Sequence, residues 1–471
     1  MSFIRYKVFG KKEYAYEVIS YWDKSIKKPR QKTRYLGVVV DKGKNIFEKP
    51  LKEKIRKEEQ ILDFGNSFLL HEFLEKEGFI KILKKVFGDN TGMIFTLLTY
   101  KLCNPGPMRL AEIWQNGNII KYLHKVTLSS QRISDLLIEI GEEDVYREFF
   151  KKYLSFVRHS SDGLVLDITA IPNQIHMPFT QWGYHDEEID KQIKLMLVLD
   201  KATSLPLFFR YIPGSISDVS TLKPTIEEIK RFGIKNTYFV LDAGFFSEGN
   251  VTLLQNEEIQ FMIRLPSNRK LYKDLIDKNQ DLESIKHAIV YGGRGLFIKK
   301  CMVDLFGKNA FAYVILDPDR RGRETRRMLL KLDEEERASK DIDFRLKKKG
   351  IMIVISSVEL DRDEVLPLYY SRNTAEQLFR FAKDDLEMLP LRVHKEESMR
   401  GYLLLIFIAL IAFLLLKERL GKKITVEEAL LSARNLKAKV FNREVVIAEM
   451  TKKQREIFEK VEVIVPKVTG I

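Results

Sequence analysis

The chain has 471 residues, with 80 lysines and arginines against 66 aspartates and glutamates and a formal net charge of +14. That length exceeds a single hydrophobic core and predicts several domains, while the basic excess suits a polyanionic partner, nucleic acid first, with a lysine-rich solvated surface as the plainer alternative. Only Cys103 and Cys301 are present, which excludes a disulfide framework and an all-cysteine zinc site and points to a reducing, intracellular compartment.

The opening MSFIRYKVFGKKEYAYEV carries charge throughout and predicts no secretory signal. Residues 1–60 alternate polar and apolar in short runs, EYAYEVISYW and TRYLGVVV, and predict a small β-rich N-terminal region. Lys28, Arg30, Lys32 and Arg34 interleave there with Tyr21, Trp22 and Tyr35, a mixture suited to phosphates and to stacking on bases; a solvated hairpin tip is the other reading. Residues 61–158 turn helical, as in NSFLLHEFLEKEGFIKILKKVFG, with cap-type Ser129 and Ser130 before SDLLIEI. Such a helical domain can grip DNA or serve dimerisation, and its pattern does not decide between them.

Residues 159–248 are strand-rich: LVLDITAI, KLMLVLD and LPLFFRYIP, then a helical SDVSTLKPTIEEIKRFG, then NTYFVLD. Asp167 sits inside the first run and Asp242 ends the last. A carboxylate in a buried strand is costly unless paired or metal-bound. A hidden cation beside Asp167, or a capping role for Asp242, is the structural alternative. Residues 249–355 hold more short strands and a mixed-charge helical stretch from Asp319 to about Lys349, read as solvated helices, with Arg320, Arg321, Arg323, Arg326 and Arg327 as the sharper candidates for DNA contact. In 356–425, the uncharged run Tyr402–Leu416 has 15 residues. A bilayer needs roughly 18 to 20, so a core helix is predicted and no membrane association. Residues 426–471 form a C-terminal helical region.

Within 356–425 the segment YYSRNTAEQLFRFAK places Tyr369, Arg372, Glu376 and Lys383 at offsets that a continuous helix would gather into an arc of about 60°. One carboxylate among two cations and a phenol suits a metal and a phosphate. Hard divalent ions such as Mg²⁺ take oxygen ligands, so Asp167, Asp242 and Glu376 suffice without histidine or cysteine.

This spacing, with the two upstream aspartates, resembles the tyrosine, arginine, glutamate, lysine signature of DDE transposases of the insertion-sequence-four family. The resemblance implies an α/β fold: a ribonuclease-H-like mixed-sheet catalytic core split between 159–248 and 356–425, its two aspartate strands side by side, with 249–355 as a strand-rich insertion. It implies a DNA transposase that cleaves insertion-sequence ends as an endonuclease and joins them to a target. Asp167, Asp242 and Glu376 are then the catalytic acids and hold two Mg²⁺ ions, with Mn²⁺ as a substitute, while Tyr369, Arg372 and Lys383 bind DNA. Terminal inverted repeats and target DNA are the implied partners, a homodimer the synaptic unit, and the nucleoid-associated cytoplasm the location. A nuclease without strand transfer and a catalytically inactive, transposase-derived DNA-binding protein are the alternatives. One feature departs from the family. Asn373 follows Arg372 where some relatives carry a tryptophan, and the only tryptophans are Trp22, Trp114 and Trp182, so Tyr291, Phe297 or Tyr313 would have to supply a stacking face.

Overall fold

The computed structural model describes residues 2–10, 12–23, 27–49, 58–157, 163–185, 188–234, 238–332, 342–441 and 444–470. The chain divides into two units, residues 1–59 and 60–471. In the smaller, β1 (Ser2–Phe9), β2 (Lys12–Asp23), β3 (Lys28–Asp41) and β4 (Ile46–Glu48) pair antiparallel in that order. Ala15 and Val18 are buried, whereas Phe3, Phe9, Tyr21 and Trp22 stay exposed. β4 pairs only with the Val38–Asp41 end of β3. The stretch Lys28–Arg34 is therefore bordered on one side by β2 and lacks a described strand on the other.

The larger unit begins near β5 (Glu58–Asp63) and continues through helices that include Gly65–Lys76, Thr91–Cys103, Ser130–Ile140 and Glu143–Phe156. Its centre is a large mixed sheet. In chain order its strands are β6 (Leu164–Pro172), β7 (Gln181–His185), β8 (Glu188–Asp200), β9 (Pro206–Pro213), β10 (Tyr238–Leu241), β11 (Gln260–Arg264), β12 (Ala288–Tyr291), β13 (Arg294–Leu305), β14 (Lys308–Leu316) and β15 (Ile351–Ser356). Their spatial order is β12-β13-β14-β15-β11-β10-β6-β8-β7, with β9 also on β8. β10 runs parallel to both β6 and β11, and the other pairings are antiparallel. Near-continuous apolar runs such as Tyr238–Leu241, buried throughout, are what a strand covered on both faces requires. The strands of 249–355 extend this same sheet through β15. β16 (Lys437–Phe441), β17 (Glu444–Ile447) and β18 (Val468–Gly470) join β5 in a separate four-stranded sheet.

The uncharged run lies within one helix, Glu396–Leu420, whose apolar window is 94% buried by the rest of the protein. Phe407 packs among Phe149, Phe150, Tyr153 and Phe209. The helix is apolar all round because protein surrounds it on every side. Against Ser130–Ile140 it passes at backbone contact. A Cβ on Gly401 would fall 1.9 Å from the Leu137 carbonyl oxygen, and one on Gly141 would fall 1.9 Å from that of Glu397.

Candidate active site

Burial decides the first residue. Asp167 lies in β6 after Leu164, Val165 and Leu166, and only 7% of it is exposed. β10 lies alongside β6 with Val240 opposite Val165. Asp242, two residues past Val240, thus stands level with Asp167, two past Val165, and the period-two alternation of extended chain sends both carboxylates to one face. Asp242 keeps extended backbone angles (φ −82°, ψ 171°), and its side chain caps no helix end.

The third acid arrives from a different direction. The segment expected to form one continuous helix is two: Arg362–Tyr370 and Asn373–Arg380, separated by a turn at Ser371–Arg372 and followed by a wide turn, Phe381–Asp385. Pro367 lies inside the first helix, where it cannot donate a backbone hydrogen bond. Ala375, Leu378 and Phe379 bury one face of the second helix, and the Glu376 side chain stays 60% exposed.

Arg372, at the break, is buried, and its guanidinium lies among the three acids. Nη2 donates to Asp167 Oδ1 at 2.8 Å, Nη1 donates to Asp242 Oδ1 at 3.1 Å, and Glu376 Oε1 lies 3.7 Å from Nη2. Nη1 also donates to the Tyr369 hydroxyl at 3.1 Å, which in turn donates to Asp242 Oδ1 at 3.1 Å. Arg372 Nε is buried and has no hydrogen-bond partner among the described residues. Burial pushes the Asp167 carboxyl up to about 6 against the pull of Arg372, with Asp242 and Glu376 adding to the rise. Burial and then the Asp242 charge push the Tyr369 phenol up to about 12, so it remains a neutral donor. Burial opposes the charge on Arg372, but Asp167 and Asp242 more than compensate and raise its pKa.

Asp167, Asp242, Glu376, Tyr369 and Arg372 are thus brought together. Lys383 is turned onto the neighbouring strand, where Nζ donates to Thr169 Oγ1 at 2.8 Å and to the Ala170 carbonyl at 2.7 Å. It secures the segment to β6 beside Asp167. Lys28, Arg30, Lys32 and Arg34 lie in the smaller unit, on alternate positions of one strand and therefore on one sheet face, all exposed. Of the aromatics considered for stacking, Tyr313 is fully buried and offers no free face. Tyr291 stacks on Tyr370, next to Tyr369, with ring centroids 5.8 Å apart.

Two participants escaped the sequence reading. Thr169 anchors Lys383, and its place two residues beyond Asp167 on the same strand face was the available signal. Arg264, at the end of β11, lies close enough for its charge to act on the Tyr369 phenol, and it marks the strand end beside the one that carries Asp242.

Three carboxylates are hard oxygen donors and match the chemistry of a divalent ion such as Mg²⁺. As they stand they do not make a cage. Among the described residues no three acidic, histidine or cysteine side chains are gathered closely enough to hold a metal ion, and here a guanidinium lies between them.

A family model, the transposase DDE domain, matches residues 158–412. No curated protein sequence matches the chain. Among solved structures, the chain is similar to one described as the cryo-EM structure of a piggyBac transposase synaptic complex with hairpin DNA, at a TM-score of 0.44 and 11% identity over 74% of this chain and 70% of that one. That likeness is too distant to assign residues by.

Proposed function

The chain belongs to the transposase DDE domain family, and from that premise we propose that it is a cut-and-paste DNA transposase of the insertion-sequence-four type, with a ribonuclease-H-like core. The observation that carries the reading is the level placement of Asp167 and Asp242 on adjacent parallel strands, with Glu376 drawn to the same guanidinium. Asp167, Asp242 and Glu376 would hold two Mg²⁺ ions, or Mn²⁺ in their place. Bound there, such ions activate the attacking oxygen and neutralise charge on the phosphoryl group and on the departing oxygen.

The chain's own residues supply positioning. Tyr369 donates from a neutral phenol, and Arg372 offers a planar fork that matches a phosphate as well as it matches a carboxylate. Lys383 holds the second signature helix against β6 through Thr169 and Ala170, and so fixes where Glu376 can reach. In the reaction a water attacks the phosphorus at the element's end, the bond to the 3′ oxygen breaks, and a free 3′ hydroxyl results. That hydroxyl then attacks a target phosphodiester, forming one bond to phosphorus as another is released. Lys28, Arg30, Lys32 and Arg34 would follow a DNA backbone, the terminal inverted repeats and the target being the partners. Two copies would bring two ends together, at the nucleoid in the cytoplasm.

Labelled duplexes taken from the DNA bordering the gene test the reading. Nicking followed by joining to a target plasmid is the expected result. Nicking without joining would make the protein a nuclease, and neither event with intact DNA binding would make it a silent DNA-binding protein.

A further inference from the structure

The guanidinium of Arg372 stands where the acids have to meet around any ion they share. Resting on the reading above, we infer that Arg372 is an internal counter-ion which holds the three carboxylates in the absence of DNA and yields its place to divalent metal when a phosphate draws it away. Charge sets the direction. Three carboxylates with one guanidinium leave the cluster at minus two, whereas two divalent ions added beside a retained guanidinium would leave it at plus two. A DNA phosphate that takes the fork lowers that excess to plus one, and Arg forms bidentate pairs with phosphate as readily as with carboxylate.

Geometry permits the exchange. Arg372 lies at the turn between two helices, where its carbonyl already accepts from the Glu376 amide and the side chain alone has to move. The Glu376 side chain is 60% exposed and that of Asp242 is 37% exposed, so the cluster opens to solvent on their side. Nε has no hydrogen-bond partner among the described residues in the present position, so leaving it forfeits no such bond at that atom. Metal affinity and DNA affinity are then reciprocally linked, since each partner favours the same withdrawn arginine.

Mn²⁺ binding to the full chain, followed by electron paramagnetic resonance with and without duplex, tests this. Without DNA, Arg372→Gln should bind Mn²⁺ at least about tenfold more tightly than wild type, because a positive charge beside the ion has gone. Duplex should tighten binding to wild type and change the variant little. Arg372→Lys, which keeps one charge but spans only one carboxylate, should fall between the two and serves if the glutamine variant does not fold. Equal or weaker Mn²⁺ binding by folded Arg372→Gln, or by Arg372→Lys in its place, overturns the inference. The double variant Asp167→Asn with Arg372→Gln should lose the gain. If it keeps the gain, Asp167 is not a metal ligand, and the proposed three-acid centre fails along with the inference built on it.

Discussion

At the scale of single residues, Arg372 explains how two carboxylates can stand side by side on adjacent chains of a buried sheet. Removing it would leave Asp167 inside without a counter-charge, and breaking a buried pair from one side costs about 3 to 5 kcal/mol. Arg372→Ala is therefore expected to lower stability by about that much, read in urea unfolding. Tyr369→Phe removes the donor to Asp242 and the acceptor of Arg372 Nη1 while keeping the ring; the fold should survive and cleavage should fall by about tenfold. A second titratable residue lies well away from these in sequence. Burial, then the charges of His71 and Lys84, push His124 down to about 4, and its Nε2 is buried without a hydrogen-bond partner among the described residues. Its unfolded value is about 6.5, so between these limits the unfolded chain binds more protons and stability falls as pH drops. The loss attributable to this residue approaches about 3 kcal/mol once the pH is below 4. Melting curves of His124→Gln should lack that share of the acid slope.

At the scale of elements, the helix Glu396–Leu420 crosses Ser130–Ile140 at backbone contact through Gly401 and Gly141. Gly401→Val should cost about 3 kcal/mol or more, because the added atoms meet a carbonyl and neither helix can yield alone; chemical denaturation of the purified variant checks it. This scale also shows what the sequence could and could not reveal. The apolar runs around Asp167 and before Asp242 were readable as strands because burial on both faces leaves an unbroken hydrophobic signature. Their register was not readable, since parallel pairing is fixed by tertiary contact. The Glu376 spacing was legible as a helical stripe, yet the helix breaks at Ser371–Arg372, and Lys383 sits in a wide turn that carries it onto Thr169. β7, which contains Trp182, went unrecognised because it is short, pairs with the Glu188–Gln192 end of β8, and leaves Gln181–Tyr184 partly or fully exposed. A hidden cation beside Asp167 was among the sequence alternatives. That Arg372 itself would be that cation follows only from the fold.

At the scale of the whole molecule, the charge of +14 is spread over two units, and the four basic residues on one face of β3 are a single patch within it. Each phosphate neutralised contributes to the salt dependence of binding, so replacing Lys28, Arg30, Lys32 and Arg34 together with glutamine should reduce the slope of log K against log salt by about three to four. Filter binding across a salt series measures this; an unchanged slope would remove the patch from the DNA interface. The claim at the centre is that Asp167, Asp242 and Glu376 act as one site. Its most direct test is Mg²⁺-dependent nicking of an element-end duplex by wild type and by Asp167→Asn, Asp242→Asn and Glu376→Gln, each first shown to be folded and to bind DNA. All three variants should lose nicking by at least about a thousandfold. Any one of them nicking at the wild-type rate would contradict the account.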